Sequence, residues 1–371
     1  MKTAMTDMLD IEIPLAAFSH CRDVIAAVTN AGGIGVLGAT AFTPDQLELE
    51  LRWLDEHTGG KPYGVDLLAP AKLSFTDETP EELLAMVPPQ HIAFMQDMLR
   101  THGVLSGDGE YTLTPSMPSV APSEVSAALE VAFAHPIKLI ANALGVPPQE
   151  MIDLGKQHGV PVAALTGKVE HALKQQARGV DLIVAQGYEA GGHTGEIATM
   201  VLTPEVVDAV SPTPVLAAGG IATGRQLAAS LALGAAGAWT GSVWLTTDEA
   251  ETDSVVKQKF LAATSSDTER SRARTGKPAR QLVTAYHKAW SDAANPDPLP
   301  MPQQGILVNE AWRQIRTAAE KGVPGAQELD SYFVGQVVGL LKHAKPAREV
   351  VREFMDGLVE AYSGMQSALE G

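Results

Sequence analysis

The sequence predicts an α/β chain whose main body is a closed (β/α)8 barrel, and three observations lead there. Its strand-like runs are short and apolar without alternating polarity, as in a parallel sheet covered on both faces. Helix-like segments separate them, and they number about eight, which closes a barrel at roughly 250 residues. An open doubly wound sheet is the alternative with the same ingredients.

In chain order, IEIPLAAF reads as the first buried strand, and CRDVIAAVTNAGG as a helix ending on paired glycines. GIGVLGA (33–39) is the second strand. TPDQLELELRWLDEH opens on Thr43 as a cap and shows apolar spacing of three and four, hence a helix. PYGVDLLAP (62–70) is the third strand. KLIANAL, PVAALTG, DLIVAQG, PVLAAGG and GAWTGSVWL complete the set, with VEHALKQQARG and TGRQLAASLALG among the intervening helices. The last helix, AREVVREFMDGLVEAY, returns to close the barrel as its eighth.

Two stretches break the repeat. Residues 71–136 form a helical insertion after the third strand, including the loop SGDGEYTLTPSMPS. Residues 248–338 run on from the eighth strand as a smaller, mainly helical domain, long enough for a lid over the mouth. The barrel domain is then 1–247 with 339–371.

The 44 acidic against 27 basic residues leave a charge of −17, which repels phosphate polymers and argues against a nucleic-acid partner. Cys21 is the only cysteine, so no internal disulfide and no multi-cysteine metal site is expected. The opening text MKTAMTDMLDIEIP lacks an apolar run of the secretory kind, and no stretch approaches about 20 apolar residues. A cytoplasmic protein without a membrane partner is the expectation.

Chemistry in such a barrel belongs to the loops at the carboxyl ends of the strands. QGYEAGGHTGE follows the sixth strand, AAGGIATG closes the seventh, and WTGS lies within the eighth. Gly219, Gly220, Gly241 and Ser242 sit where barrels hold a phosphate, because glycines let backbone N–H groups approach its oxygens, and a helix starts near Thr223. Gly33, Gly35 and Gly38 match G-x-G-x-x-G, but a helix precedes them and they run into a strand, the reverse of a dinucleotide fingerprint.

His193 stands in the glycine-rich loop with room to face a ligand, the alternative being a loop histidine with no role. His20, at a helix start, and His171, on polar helical text, read as structural. No histidine pair or acidic cluster at the strand ends suggests a metal.

The run E-A-G-G-H-x-G, followed by PVLAAGGIATG and GSVWLTT, resembles the nitronate monooxygenase family, once called 2-nitropropane dioxygenases. PLAAF, AGGIGVLGA, YGVD, TGKPAR and GQVVG extend the resemblance over nearly the whole chain. Flavin-dependent enoyl-thioester reductases share the fold and nearly the same motif.

The resemblance implies a TIM barrel carrying FMN across its mouth, with the phosphate on the backbones of Gly219, Gly220, Gly241 and Ser242. Ala17 and Phe18 would pass under the isoalloxazine, and Gln186, Ala190, Gly191 and Gly192 would line it. His193 would face the substrate above the ring. Three positions depart from the family pattern: Phe18 for Met, Asp66 for Asn and Val243 for Arg. Asp66 would either contact the flavin or cap the loop after the third strand.

The activity implied is oxidation of a small alkyl nitronate, or a nitroalkane, by dioxygen to a carbonyl compound and nitrite. An NAD(P)H-dependent reductase of an unsaturated acyl thioester is the rival. A phosphosugar isomerase or aldolase would need a lysine or carboxylate at the strand ends, with Lys168 as its best candidate. A non-catalytic FMN- or metabolite-binding protein is a further reading. Monomer and homodimer are both compatible with the sequence.

Overall fold

The computed structural model describes residues 1–40, 42–69, 79–106, 108–114 and 122–370. Parallel strands β1 (Leu15–Ser19), β2 (Ile34–Gly38), β3 (Gly64–Leu67), β4 (Leu139–Asn142), β5 (Val162–Thr166) and β6 (Leu182–Gln186) follow one another. After a two-residue strand outside the barrel, β7 (Gly192–His193), come β8 (Val215–Ala218) and β9 (Gly237–Thr240), and β9 pairs with β1 to close the barrel. All eight strands expected from the sequence are present. Pro70, at the end of the third strand's text, lies outside the described residues.

Side chains alternate across the barrel wall. Ala16, Val36, Leu139, Ala163, Val184 and Trp239 pack inside, whereas Leu37, Val65, Ile140 and Ile183 face the surrounding helices. A short helix the sequence reading did not anticipate, α1 (Ala4–Leu9), buries Met5 and Leu9 against this inner cluster. Gly237 is its seat: a Cβ there would lie 2.5 Å from Met5 Sδ.

The outer layer begins with α2 (Arg22–Asn30), whose apolar side lies so close to β2 that a Cβ on Gly35 would meet Ile25 O at 2.5 Å. That contact accounts for one glycine of the false dinucleotide pattern. Next is α3 (Pro44–His57), which starts on a capping box between Thr43 and Gln46.

The insertion after β3 divides between two bodies. Its helices α4 (Pro80–Ala85) and α5 (Pro89–Thr101) leave the barrel, whereas α6 (Pro122–Ala134) packs on it through Leu129 and Phe133. Of its loop SGDGEYTLTPSMPS, Gly107 and residues 115–119 lie outside the described residues. The barrel helices continue as α7 (Gln149–His158), α8 (Val169–Arg178), α9 (Thr199–Val210) and α10 (Gly224–Ala232).

Beyond β9 the chain forms α11 (Ser254–Ala262), the antiparallel pair β10 (Thr268–Ser271) and β11 (Ala279–Leu282), then α12 (Ala285–Ser291), α13 (Gln303–Glu320) and α14 (Pro324–Leu329). Residues 248–338 are therefore not helical alone: β11 also pairs with β7, making a three-stranded sheet in the order β10-β11-β7. Leu99 of α5 shares one core with Tyr286, Leu307, Trp312 and Ile315, so this second body draws on both insertions. Finally α15 (Ala347–Glu370) packs against α10 and α2 as the eighth barrel helix, through Val351, Phe354 and Leu358. Among the described residues, no helix is long and apolar enough to cross a membrane.

Candidate active site

The loop leaving β6 is held by contacts that allow little side-chain volume. Gly187 N–H donates to Ala218 O at 2.9 Å, and a Cβ on Gly187 would lie 2.1 Å from Thr199 Oγ1. Glu189 turns back to accept from the N–H and hydroxyl of Thr199, both at 2.9 Å, which caps α9 and anchors the loop. Gly191 lies against residues 334 and 335, where a Cβ would sit 2.9 Å from Gly335 N. Gly192 takes φ +72°, and the chain then enters β7.

His193 closes β7, opposite Ala279 of β11. Its Nε2 lies 2.8 Å from Thr275 Oγ1. Since the Thr275 hydroxyl donates to Lys277 O at 3.1 Å, it accepts from the imidazole. This pattern assigns the Nε2–H tautomer and leaves Nδ1 as an uncommitted base. The ring is open to solvent but stands among protein on most sides. Desolvation, and then the Lys277 charge, hold it below the ordinary histidine pKa of 6.5.

Two arginines support the loop. Arg280 is 1% exposed and donates to Tyr188 O at 3.1 Å and to Thr268 Oγ1 at 3.1 Å. Arg270 donates to Thr194 O at 3.0 Å. Both guanidinium groups lie over the Tyr188 ring, 5.0 Å away for Arg270 and 4.6 Å for Arg280. The backbone on each side of His193 is thereby tied to β10 and β11.

Beside this loop the adjacent ends of β8 and β9 form a small-residue cradle. Gly219 and Gly220 have φ of +94° and +72°, values that favour glycine. Among the described residues, no turn or loop hydrogen bond uses the N–H of Gly219, Gly220 or Gly241. A Cβ on Gly241 would meet only Phe18, at 3.9 Å. Gly241 and Ser242 fall just beyond β9 rather than within it, because a 3-10 helix (Ser242–Thr246) begins there. Ser242 Oγ accepts from Gly335 N–H at 2.8 Å, leaving its backbone N–H at the first position of that helix. Thr223 caps α10 as expected, accepting from Gln226 N–H.

The mouth between β1 and β3 holds Phe18, His20 and Asp66. Phe18 stacks on Trp239, with centroids 6.1 Å apart, and meets the His20 ring edge-on at 5.2 Å. Both rings occupy the space above Gly38, where a Cβ would be 2.7 Å from His20 Nδ1 and 2.8 Å from Phe18 Cε2. His20 Nδ1–H donates to Gly38 O at 2.6 Å, leaving Nε2 unprotonated; the residue is exposed at the mouth, but the protein packed around the ring desolvates it and lowers its pKa. Asp66 is 1% exposed, and among the described residues neither carboxylate oxygen has a hydrogen-bond partner. Burial pushes its pKa up to about 8, only partly offset by the Ala143 N–H, which gives its hydrogen bond to Leu67 O.

The structure gathers Phe18, Asp66, Gln186, Ala190, Gly191, Gly192, His193, Gly219, Gly220, Gly241 and Ser242 at the carboxyl end of the barrel. Ala17 lies on the same strand end but turns its side chain outward, into the cluster with Val24 and Val28 of α2, so only its backbone faces the mouth. Val243 also packs outward, 5% exposed. Lys168 is the exposed N-cap of α8, and His171 lies on the exposed face of that helix. Sequence reasoning missed His20, Trp239, Thr275 and the arginine pair. The one sequence signal for Thr275 and Arg280 is TGKPAR, a run that carries no chemistry of its own at the level of sequence.

Among the described residues, Cys21, Asp23 and Glu251 bring their ligand atoms within 4.8 Å of one another, outside the barrel. Burial raises the Cys21 thiol pKa, which favours the protonated form that metals do not bind.

Residues 2–357 match the family model described as Nitronate monooxygenase. A Mycobacterium tuberculosis protein, provisionally named a monooxygenase, is 53% identical over 376 residues that span 100% of both chains. Among solved structures, the nitroalkane oxidase of Streptomyces ansochromogenes superposes with TM-score 0.81 at 26% identity, over 98% of this chain and 100% of that one. FabK of Thermotoga maritima superposes with TM-score 0.72 at 25% identity, over 99% of each chain.

Proposed function

The chain belongs to the nitronate monooxygenase family, and on that premise we propose that it oxidises a small alkyl nitronate with dioxygen at a bound FMN. One dioxygen serves two nitronates, and the two carbonyl products and two nitrites account for all the oxygen. The observation that carries this reading is His193, whose Nδ1 is uncommitted at the strand mouth beside a glycine cradle whose N–H groups make no turn or loop hydrogen bond among the described residues.

The residues present fit FMN. Gly219, Gly220, Gly241 and Ser242 would receive the phosphate through backbone N–H groups, as helix and loop termini receive anions elsewhere. Phe18, Ala190, Gly191 and Gly192 offer small or apolar surfaces to a flat ring. Gln186, half-buried at the end of β6, offers an amide. When bound, FMN supplies the electron-transfer chemistry and the reaction with dioxygen.

The protein's own part is positioning and proton handling. A neutral nitroalkane loses its α-proton to His193 Nδ1, while Thr275 accepts from Nε2–H and so steadies the resulting imidazolium. A preformed nitronate skips that step and enters as an anion in the field of Lys277. The lid, tied to His193 through β11, limits the access of water.

The structural likeness to FabK favours a second reading, reduction of an unsaturated acyl thioester by NAD(P)H. One cuvette separates the two: the flavin absorbance of the purified protein is followed anaerobically after adding propyl-2-nitronate or, separately, NADPH. Bleaching by nitronate alone supports the monooxygenase, and bleaching by NADPH alone supports the reductase. A protein that neither carries nor takes up FMN refutes both.

A further inference from the structure

Asp66 is the side chain of the mouth whose chemistry is least accounted for by the protein around it. On β3, Val65 and Leu67 join the outer cluster, so strand alternation turns Gly64 and Asp66 inward. The position lies near the carboxyl end of β3, in register with Gly38 on β2 and Ala141 on β4. Neither neighbour offers a polar side chain. The cap on the following loop is made instead by Asn142, whose Oδ1 accepts from Ala69 N–H at 2.9 Å. Capping, one of the two roles open to Asp66 in the sequence, is therefore filled by another residue.

An ionised carboxylate held there without a partner is strongly disfavoured, since nothing replaces the water it gives up. No charged side chain of a described residue compensates it. The titratable group facing it across β2 is His20, neutral at pH 7 by its lowered pKa and bound through Nδ1–H to Gly38 O. A protonated carboxyl avoids the charge but still carries one O–H donor and one carbonyl acceptor side by side, both unmatched among the described residues. Such a pair is complementary to an imide edge, which presents a carbonyl acceptor beside an N–H donor.

We propose that Asp66 is held as a neutral carboxylic acid and pairs through its O–H and C=O with the imide edge of the flavin, in the way a carboxamide would. The proposal rests on the reading that FMN occupies the mouth. It explains how an acidic residue stands where the resembling family has Asn: the proton restores the donor that a carboxylate lacks. It also makes cofactor affinity depend on that proton. Because FMN selects the neutral form, the liganded pKa rises above the unliganded value of about 8. Affinity is then level below pH 8 and falls above it.

The test titrates the full chain, stripped of flavin, with FMN from pH 6.5 to 9, reading flavin fluorescence for the wild type and for Asp66→Asn. Any titration of FMN itself appears in both proteins and cancels in their ratio. The expected wild-type dissociation constant, relative to the variant, rises about tenfold by pH 9 for a group with an unliganded pKa of about 8. Asp66→Asn binds at all pH values without that step. A wild type that parallels Asp66→Asn throughout, or that binds more tightly as pH rises, overturns the proposal and leaves the cofactor reading intact. FMN that binds neither protein at any pH overturns both.

Discussion

Replacing Gly187 with alanine probes how the His193 loop is held. On the native backbone the added Cβ falls 2.1 Å from Thr199 Oγ1, 2.4 Å from Thr199 N and 2.6 Å from Thr199 Cα. Contact distances near 3.5 Å then require the loop and α9 to part by roughly 1 Å. Overpacking of this kind costs about 1–3 kcal/mol. The separation also stretches the Gly187–Ala218 and Glu189–Thr199 hydrogen bonds, each worth about 1 kcal/mol, for a total near 3–5 kcal/mol. With a urea m-value of about 3 kcal/mol/M, the unfolding midpoint falls by roughly 1 M or more. Because His193 lies six residues along the same loop, turnover of nitroalkane falls about 100-fold. Thr199→Ala removes the Oγ1 contact but not the two backbone atoms, so the double variant remains destabilised. A midpoint within roughly 0.2 M of wild type for Gly187→Ala, or full rescue by Thr199→Ala, would refute the argument.

Thr275→Val removes the acceptor for His193 Nε2–H. It lowers kcat/KM on a neutral nitroalkane by about five- to tenfold, while oxidation of a preformed nitronate changes by less than about twofold, as parallel assays would show. The pH profile on the nitroalkane is level above 6.5 and falls on acidification with a midpoint below 6.5, because protonation removes the base. In Lys277→Met that midpoint moves up toward 6.5, and an unchanged profile would disconnect Lys277 from the ring. His287 is fully buried, and desolvation drops its pKa to about 4, so the fold is stabilised above the unfolded value of 6.5 and loses that contribution as pH falls from 6.5 toward 4. The loss is of order 3 kcal/mol, and urea midpoints across that window should slope less in His287→Gln.

The barrel was legible because its strands are buried on both faces, which writes them as continuous apolar runs such as LIVAQ and VLAA. Thr43 and Thr223 announced their helices through side-chain caps. The six-residue α1 was not legible, since Met5 and Leu9 are too few to set a period and matter only because the barrel floor receives them. Strand β7 is a Gly-His pair with no strand propensity, made extended by β11 more than 80 residues away. The polar text TERS and ARQL hid β10 and β11 for the same reason, their arginines being spent on Tyr188. At the site, His193 was singled out by its glycines. His20 reads as structural in the sequence because it stands at a helix start, and its place at the mouth comes from Gly38, a strand neighbour with no side chain to fill that space.

The common core of α5 and α13 bears on how this protein can be altered by recombination. Met98 and Leu99 from the first half are buried with Leu307, Ala311 and Ile315 from the second. A chimaera that takes residues 248–338 from a relative while keeping the native insertion after β3 would join surfaces shaped for different partners. Crossovers that move both segments together preserve the fit, so two passages distant in the gene have to be exchanged as one.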